Sequence, residues 1–466
     1  EKLEASYKLR SGSHSFNSQV IEVGKANKSL SYFFAYRRAQ RNSFDLNKRN
    51  PDTDGDAYLD QFLRGRLGFK LSEKTDVNLV GGIFDERNSN TQSAFGGISR
   101  RGEFDTERLD LSLEIKHKLS KNSEALFSYG LSHYGHTVRT FFTTIEPRSE
   151  TRDFFRDELS DYEVSFGTYR EDYFLQAGIV RSRDHITSPR VLLNRASYWQ
   201  NSFYVNLENF LSESSSVSVG FRIDSHKTFG KEISPKVSFW KKSGKVDFRV
   251  GYGRGFRAPS LKELYFEFNS PYGYTVRGNP NLSTEVADTF TFGTIFKLSD
   301  ESLFDLTLFE TRVRGMIVPT EIRASPLVFK EINVGKARTR GVSTYYAFKP
   351  NKRVSVNIDQ TYIIAKDVES GNLLPQSPRY RGKLSVVCKL NERSELEFFV
   401  SHQAPQYTGI ENKTLAPGFS TLDVNYRVSI MGGNLVLNLL NAFDRVNRRY
   451  GPKPGRELFI SFERNL

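Results

Sequence analysis

The 466-residue chain contains one cysteine, Cys388, so no internal disulfide framework holds it together. No run of 18 apolar residues occurs, which excludes helical membrane spans. The mean hydropathy of −0.51 would by itself suggest a water-soluble chain. No block of five or more Lys or Arg residues and no basic helical face is present; the formal charge of +13 is spread along the whole length. A charge so dispersed does not point to nucleic acid, and suits contact with an anionic ligand or anionic lipid instead. No nucleophile elbow, glycine-rich phosphate loop or HExxH pair is found, so no enzymatic activity is expected. No linker, low-complexity tract or signal-peptide pattern occurs within the sequence. Alternation already begins at Leu3, Ala5, Tyr7 and Leu9, as in a mature or trimmed product that starts inside its first strand.

Period-2 alternation fills the sequence. Val246, Phe248, Val250 and Tyr252 share one face, opposite Lys245, Asp247, Arg249 and Gly251. Val217, Val219, Phe221 and Ile223 oppose Ser216, Ser218, Arg222 and Asp224. Leu422, Val424, Tyr426 and Val428, and likewise Leu396, Phe398 and Val400, repeat the pattern. Cys388 is in phase with Leu384, Val386 and Leu390, as a small residue on an apolar face. Aromatic residues make up 13%, which suits strands and interfacial girdles.

The joints between these segments are of two kinds that take turns. Tight polar ones include Ser72-Glu73-Lys74-Thr75, Ser120-Lys121-Asn122-Ser123, Lys241-Lys242-Ser243-Gly244, Ser299-Asp300-Glu301-Ser302 and Asn391-Glu392-Arg393-Ser394. Longer ones, rich in Asn, Gly, Pro and Tyr, fall at about 40–56, 85–103, 138–158, 183–197, 258–284, 319–330, 366–377, 403–417 and 443–455. A water-soluble sandwich has no reason to sort its loops in this way; a closed barrel threaded through a bilayer does. Counting strands between joints gives about 22, an even number with both ends on the short-turn side, as bacterial outer-membrane barrels require. The expected fold is therefore all-β: one transmembrane antiparallel β-barrel spanning 1–466, with short periplasmic turns and long extracellular loops. The lumen of so large a barrel is too wide for side chains to fill.

One junction is more specific. Gly255-Phe256-Arg257-Ala258-Pro259-Ser260-Leu261-Lys262-Glu263-Leu264-Tyr265 is followed by Gly278-Asn279-Pro280-Asn281-Leu282. Pro259 ends ladder pairing, and Asn279-Pro280 turns the chain back. This pair resembles the Phe-Arg-Ala-Pro and Asn-Pro-Asn-Leu motifs of TonB-dependent outer-membrane receptors. Those usually continue with Lys-Pro-Glu, where this chain has Ser283-Thr284-Glu285. Asn438-Leu439-Leu440-Asn441, followed by Pro454-Gly455-Arg456, is a second match. The resemblance implies a monomeric transporter barrel in the outer membrane, in contact with lipid and lipopolysaccharide. It also implies a plug domain, expected to lie outside this chain, through which TonB drives uptake of a metal chelate.

Ligand clues are fewer. Asp52, Asp54 and Asp56 alternate in Asn50-Pro51-Asp52-Thr53-Asp54-Gly55-Asp56, a pattern that suits either Ca²⁺ or a solvated loop tip. Ala57 and Leu63 stand where an EF-hand needs Gly and Glu. The segment resembles a calcium-binding outer loop of the family's cobalamin transporters, which implies Asp54, Asp56 and Asp85, with Asp52, as ligands and favours cobalamin as cargo. A siderophore, haem or a plug-less passive pore are the alternatives. Haem receptors of the family resembled usually place a histidine between the two motifs, and none lies between Pro259 and Asn279, so the resemblance argues against haem. Tyr265, Tyr272 and Tyr274 with Arg277 suit a large flat ligand, or else an interfacial girdle. His133 and His136, three apart on a strand, should face opposite sides.

Overall fold

The computed structural model describes residues 3–50, 52–93, 99–142, 150–269, 274–324, 327–447, 449–451 and 454–466. The first strands are β1 (Glu4–Gly12), β2 (Phe16–Ala26), β3 (Leu30–Arg41), β4 (Ala57–Ser72), β5 (Thr75–Ser93), β6 (Ser99–Ser120) and β7 (Ser123–Phe142). Then come β8 (Glu150–Tyr169), β9 (Tyr173–Thr187), β10 (Arg195–Ser212), β11 (Ser215–His226), β12 (Gly230–Ser243) and β13 (Val246–Arg257). A short helix, α1 (Leu261–Tyr265), and two short strands, β14 (Glu267–Asn269) and β15 (Tyr274–Arg277), interrupt the series. It resumes with β16 (Glu285–Ser299), β17 (Ser302–Ala324), β18 (Leu327–Asn351), β19 (Val354–Asp367), β20 (Tyr380–Asn391) and β21 (Ser394–Gln403). After the small β22 (Gln406–Tyr407) and β23 (Leu415–Ala416), the chain ends with β24 (Phe419–Ile430), β25 (Gly433–Leu440) and β26 (Glu457–Asn465).

Each long strand pairs antiparallel with its neighbour in the chain, and β26 pairs with β1 from Ser6↔Asn465 to Gly12↔Phe459. The sheet holds 24 strands; β14 and β15 are appended to β18 through a parallel β15 pairing, leaving 22 in a closed cylinder. Closure leaves the cylinder itself without an edge, the condition for a sheet to stand in hydrocarbon. No helix among the described residues is long and apolar enough to cross a membrane.

The two faces segregate as the alternation predicts. Ile83, Ile179, Val219, Phe248 and Val250 are all exposed, and the ladder sets Ile179 beside Val164 and Phe203 in one outward apolar band. The opposite face is polar and internally paired. Asp224 is 3% exposed and accepts hydrogen bonds from Arg222, Ser202 and Gln200. Arg249 grips Asp305 with one nitrogen at 2.6 and 2.8 Å, and Asn425 donates to Glu397. Charges placed this way avoid the 2–4 kcal/mol or so that a cation costs on the lipid face near the midplane. Cys388 pairs with Val354 on the apolar outer face.

At one rim every joint is short: 27–29, 73–74, 121–122, 170–172, 213–214, 244–245, 300–301, 352–353, 392–393 and 431–432. A recurrent device builds them. The first residue is often Ser or Asn, whose side-chain oxygen accepts from the backbone N–H two residues on: Ser72 from Lys74, Ser120 from Asn122, Ser299 from Glu301, Asn351 from Arg353, Asn391 from Arg393. Asn351 also accepts from Val354 N–H at 2.9 Å. The Asn351→Ala variant, losing both bonds at an exposed turn, should be destabilised by about 1 kcal/mol. An unchanged urea midpoint in micelles would contradict this role.

The other rim corrects the expected loop map. Much of 85–103, 138–158 and 319–330 is strand: β5 runs to Ser93, β6 starts at Ser99, β7 runs to Phe142, β8 starts at Glu150, and β17 and β18 reach Ala324 and Leu327. The polar composition of these stretches reads as loop, but cross-strand ion pairs such as Arg139–Asp105 at 2.8 Å support the ladder beyond the apolar band. Joints 13–15 and 227–229, on the same rim, are as short as those opposite. Turn length is therefore not sorted strictly by rim. His14 and Ser15 manage the first of these joints with positive φ of 58° and 55°.

Candidate functional site

The segment after β13 folds into a buttress on the inner wall at the long-loop rim. Its centre is Arg257. This guanidinium donates to both carboxylate oxygens of Glu263 at 2.9 and 3.0 Å and to Glu285 at 2.7 Å. Glu285 in turn accepts from the backbone N–H of Ile317 at 2.7 Å, tying in β17. Ser260 and Glu263 form a reciprocal capping box that starts α1. Burial alone raises the Glu263 carboxyl; the Arg257 guanidinium and the amide and hydroxyl of Ser260 outweigh it and hold it below its ordinary 4.5.

Both apolar faces of α1 are used. Leu261 joins Ile186 and Val191 in one buried cluster, and Leu264 joins Leu282 and Ile317 in another. Pro259 is fully buried where the strand leaves the ladder. Asn279 is held by three hydrogen bonds: its N–H donates to the Glu263 carbonyl, its Nδ2 to the Glu331 carbonyl, and its Oδ1 accepts from Asn281 N–H. Gly278 is required, since a Cβ there would lie 2.6 Å from the carbonyl of Leu264. The motif residues Phe256, Arg257, Ala258, Pro259, Asn279, Pro280, Asn281 and Leu282 thus surround or form this buttress, with Phe256 in β13 paired to Val286 and Ala258 and Pro280 in the connecting backbone.

The aromatic candidates divide. Tyr265 packs against both buried clusters, a structural position. Tyr274 and Arg277 lie on β15, Tyr274 edge-on to Phe329 at 5.7 Å and Arg277 beside Glu267 at 3.4 Å. Tyr272 lies outside the described residues.

The four aspartates are not drawn together. Asp54 accepts from Leu46 N–H at 2.9 Å and Asp56 from Asn90 Nδ2 at 3.5 Å, whereas Asp52 is near Asn50 at 3.3 Å. Asp85 is a ladder residue of β5, opposite Gln61 and Glu107, and lies 3.8 Å from Arg87. Among the described residues, no three His, Cys, Asp or Glu side chains converge to hold a metal ion.

The structure assembles a feature that the sequence does not announce. Phe104, Tyr134, His136 and Phe155 come from β6, β7 and β8 and share the face opposite outward Leu109, at the lumenal mouth. Their rings form one platform: Phe104–His136 are stacked at 6.1 Å, Tyr134–His136 at 6.4 Å, and His136–Phe155 lie at 5.2 Å. His133 faces the other side, paired with Leu109, as the spacing requires. Lys262 of α1 reaches across, 3.9 Å from the centre of the Phe155 ring and 2.9 Å from Asp157. Arg190 lies 4.4 Å over Phe268 and pairs with Asp153. The buttress therefore does more than close a junction: it delivers a cation to an aromatic wall. Only the strand parity of Tyr134 and His136 hinted at this in one dimension.

The family described as TonB-dependent receptor-like β-barrel matches residues 15–442. The iron-regulated outer membrane virulence protein of Vibrio cholerae is 21% identical over 313 residues, covering 62% of this chain and 46% of that protein. The chain thus spans about half the length of that curated relative. Among solved structures, the siderophore receptor PirA of Acinetobacter baumannii superposes with a TM-score of 0.82 at 15% identity, covering all of this chain and 81% of that one. A variant of the ferric enterobactin receptor PfeA of Pseudomonas aeruginosa, solved with enterobactin, gives 0.83 at 16% identity with the same coverage. With its closed 22-strand cylinder and its Arg257-centred junction, the chain belongs to the TonB-dependent receptor-like β-barrel family and is an outer-membrane barrel.

Proposed function

We propose that this barrel imports a bulky metal chelate with flat aromatic or anionic groups, of the ferric siderophore type. The observation that carries the reading is the platform of Phe104, Tyr134, His136 and Phe155 with Lys262 poised over it. Aromatic faces bind planar groups by stacking, and a nearby ammonium adds charge complementarity to a polyanionic chelate. The names of similar proteins, an iron-regulated outer-membrane protein and two siderophore receptors, support the same class. Import of this kind requires a plug within the lumen and TonB as the energy source. Lipid and lipopolysaccharide surround the barrel. No catalytic role is assigned.

Binding of ferric enterobactin and of cyanocobalamin to the full receptor, each with and without calcium, tests the proposal. Lys262→Ala and Phe155→Ala should each weaken the ferric chelate about tenfold, the size of a desolvated cation–π or stacking contact. Calcium-dependent binding of cyanocobalamin with no response to the ferric chelate would transfer the assignment to cobalamin and to the Asp54–Asp56 loop. Currents through the barrel that no plug silences would instead identify a passive pore.

A further inference from the structure

The outer wall of β13, β16, β17, β18 and β19 carries a second organised site, on the face opposite the lumen. Its lower part is an apolar groove of about 490 Å³, in which Val250, Phe292, Leu308, Val342 and Tyr362 present the same outward parity. These are lipid-facing positions, with Val250, Phe292, Leu308 and Tyr362 each more than 40% exposed. Continuing along the same outward rows towards the long-loop rim, the side chains change abruptly to charge. Phe290 pairs with Glu310, and Glu310 with Arg340; one step higher come Asp288, Arg312 and Arg338.

The charges are arranged in two tiers. Glu310 accepts from Arg338 at 3.0 Å and from Arg340 at 2.6 Å, and also holds Arg312. Asp288 accepts from Arg254 at 2.8 Å, Arg314 at 2.9 Å and the Tyr252 hydroxyl at 2.8 Å. The carboxylates lie against the wall, 14% and 20% exposed, while Arg312, Arg314 and Arg340 are 59%, 53% and 56% exposed. Five guanidinium groups over two carboxylates leave three net positive charges facing outward. Each carboxylate holds its arginines in place, so little side-chain freedom is lost when another anion binds, and every guanidinium keeps unused N–H donors.

We propose that this wall binds one molecule of a phosphorylated, multiply acylated glycolipid of the outer leaflet, lipopolysaccharide: phosphates on the arginine tier, an acyl chain in the groove beneath. Charge complementarity selects the occupant. An apolar groove continuous with a cationic crown matches an amphiphile whose anionic head sits directly above its chains, and guanidinium is the side chain best suited to phosphate. The height agrees, since arginine on a lipid face is costly near the midplane and nearly free at the interface. The inference rests on the barrel standing in an outer membrane and not on the cargo assigned to the vestibule, so ligand binding and lipid binding can fail separately.

The test compares the full protein with Arg338→Gln/Arg340→Gln, and with Lys70→Gln, which removes a charge beside the short-turn rim. Native mass spectrometry after mild detergent extraction would count retained lipopolysaccharide, and titration with lipopolysaccharide micelles would give affinity. Wild type and Lys70→Gln should retain one lipid, and the double variant should bind at least tenfold more weakly, with unchanged heat-modifiable mobility as the check on folding. Equal retention by the double variant overturns the proposal. So does full competition by millimolar inorganic phosphate, which would mark a site for free phosphate and not for a lipid.

Discussion

Replacing Arg257 by alanine should free the 258–285 segment from the barrel wall while leaving the cylinder intact. The substitution removes three charge-assisted hydrogen bonds and leaves Glu263 and Glu285 facing each other, 20% and 16% exposed, without their shared cation. Breaking a fully buried pair costs about 3–5 kcal/mol. The Arg257 side chain is 46% exposed, so solvent screening reduces the figure to about 2 kcal/mol, or roughly 30-fold in the docking equilibrium. Limited proteolysis within 258–285 should accelerate by that order, and ferric chelate affinity should fall because Lys262 loses its position over Phe155. Arg257→Lys should fall between, since an ammonium keeps the charge without the two-pronged geometry. A variant as protease-resistant as the wild type would show that Leu261 and Leu264 anchor the segment unaided.

The same junction has a pH signature. The carboxyl of Glu263 is held below its ordinary value of 4.5, so the folded state binds its proton less readily than the unfolded state. Its contribution is fully present above pH 4.5 and is lost as pH falls through the depressed folded value. Acid opening of the segment, read by proteolysis, should therefore begin only below pH 4.5. Glu263→Gln should reduce that dependence and leave the share of Glu285, whose carboxyl is also held below its ordinary value despite burial, by the Arg257 guanidinium and the Ile317 N–H.

The second large effect concerns the direction of the wall. Ile179→Arg places a cation in the outward apolar band, beside Val164 and Phe203, where it should cost about 2–4 kcal/mol. Gln176→Arg, three residues away on the lumenal face opposite Asn206, should change stability by well under 1 kcal/mol. Urea midpoints of the two variants refolded into vesicles make the comparison. Equal destabilisation would mean that the apolar stripe does not face lipid.

The junction was legible in the sequence through its motif and through Pro259, which must end the ladder. The capping box Ser260-Leu261-Lys262-Glu263, the short helix it starts and the close backbone approach at Gly278 emerged only in the structure, although the box lies within four consecutive residues. The roles of Tyr265 and Asn279 were not legible. A tyrosine reads equally as a ligand contact, a girdle residue or a core filler, and only the two clusters against it decide. The Asp52–Asp56 run had the composition of a cation loop, yet among the described residues no three carboxylates converge, and Asp54 and Asp56 bond Leu46 N–H and Asn90. Loop lengths were overestimated at 85–103 for a related reason: polar residues end a strand only if no partner strand pairs with them, and here β6 supplies one.

What the sequence determined by itself was the cylinder. A period of two is a property of single strands, its parity survives any arrangement of neighbours, and the tight joints encode their own hydrogen bonds within four residues. Both proposed binding surfaces, by contrast, were decided only by tertiary structure. The aromatic platform draws Phe104, Tyr134 and Phe155 from three strands, and the arginines with the two carboxylates that hold them draw from four. The register between strands sets those neighbours, and register is fixed by pairing between distant parts of the chain, which no local pattern records.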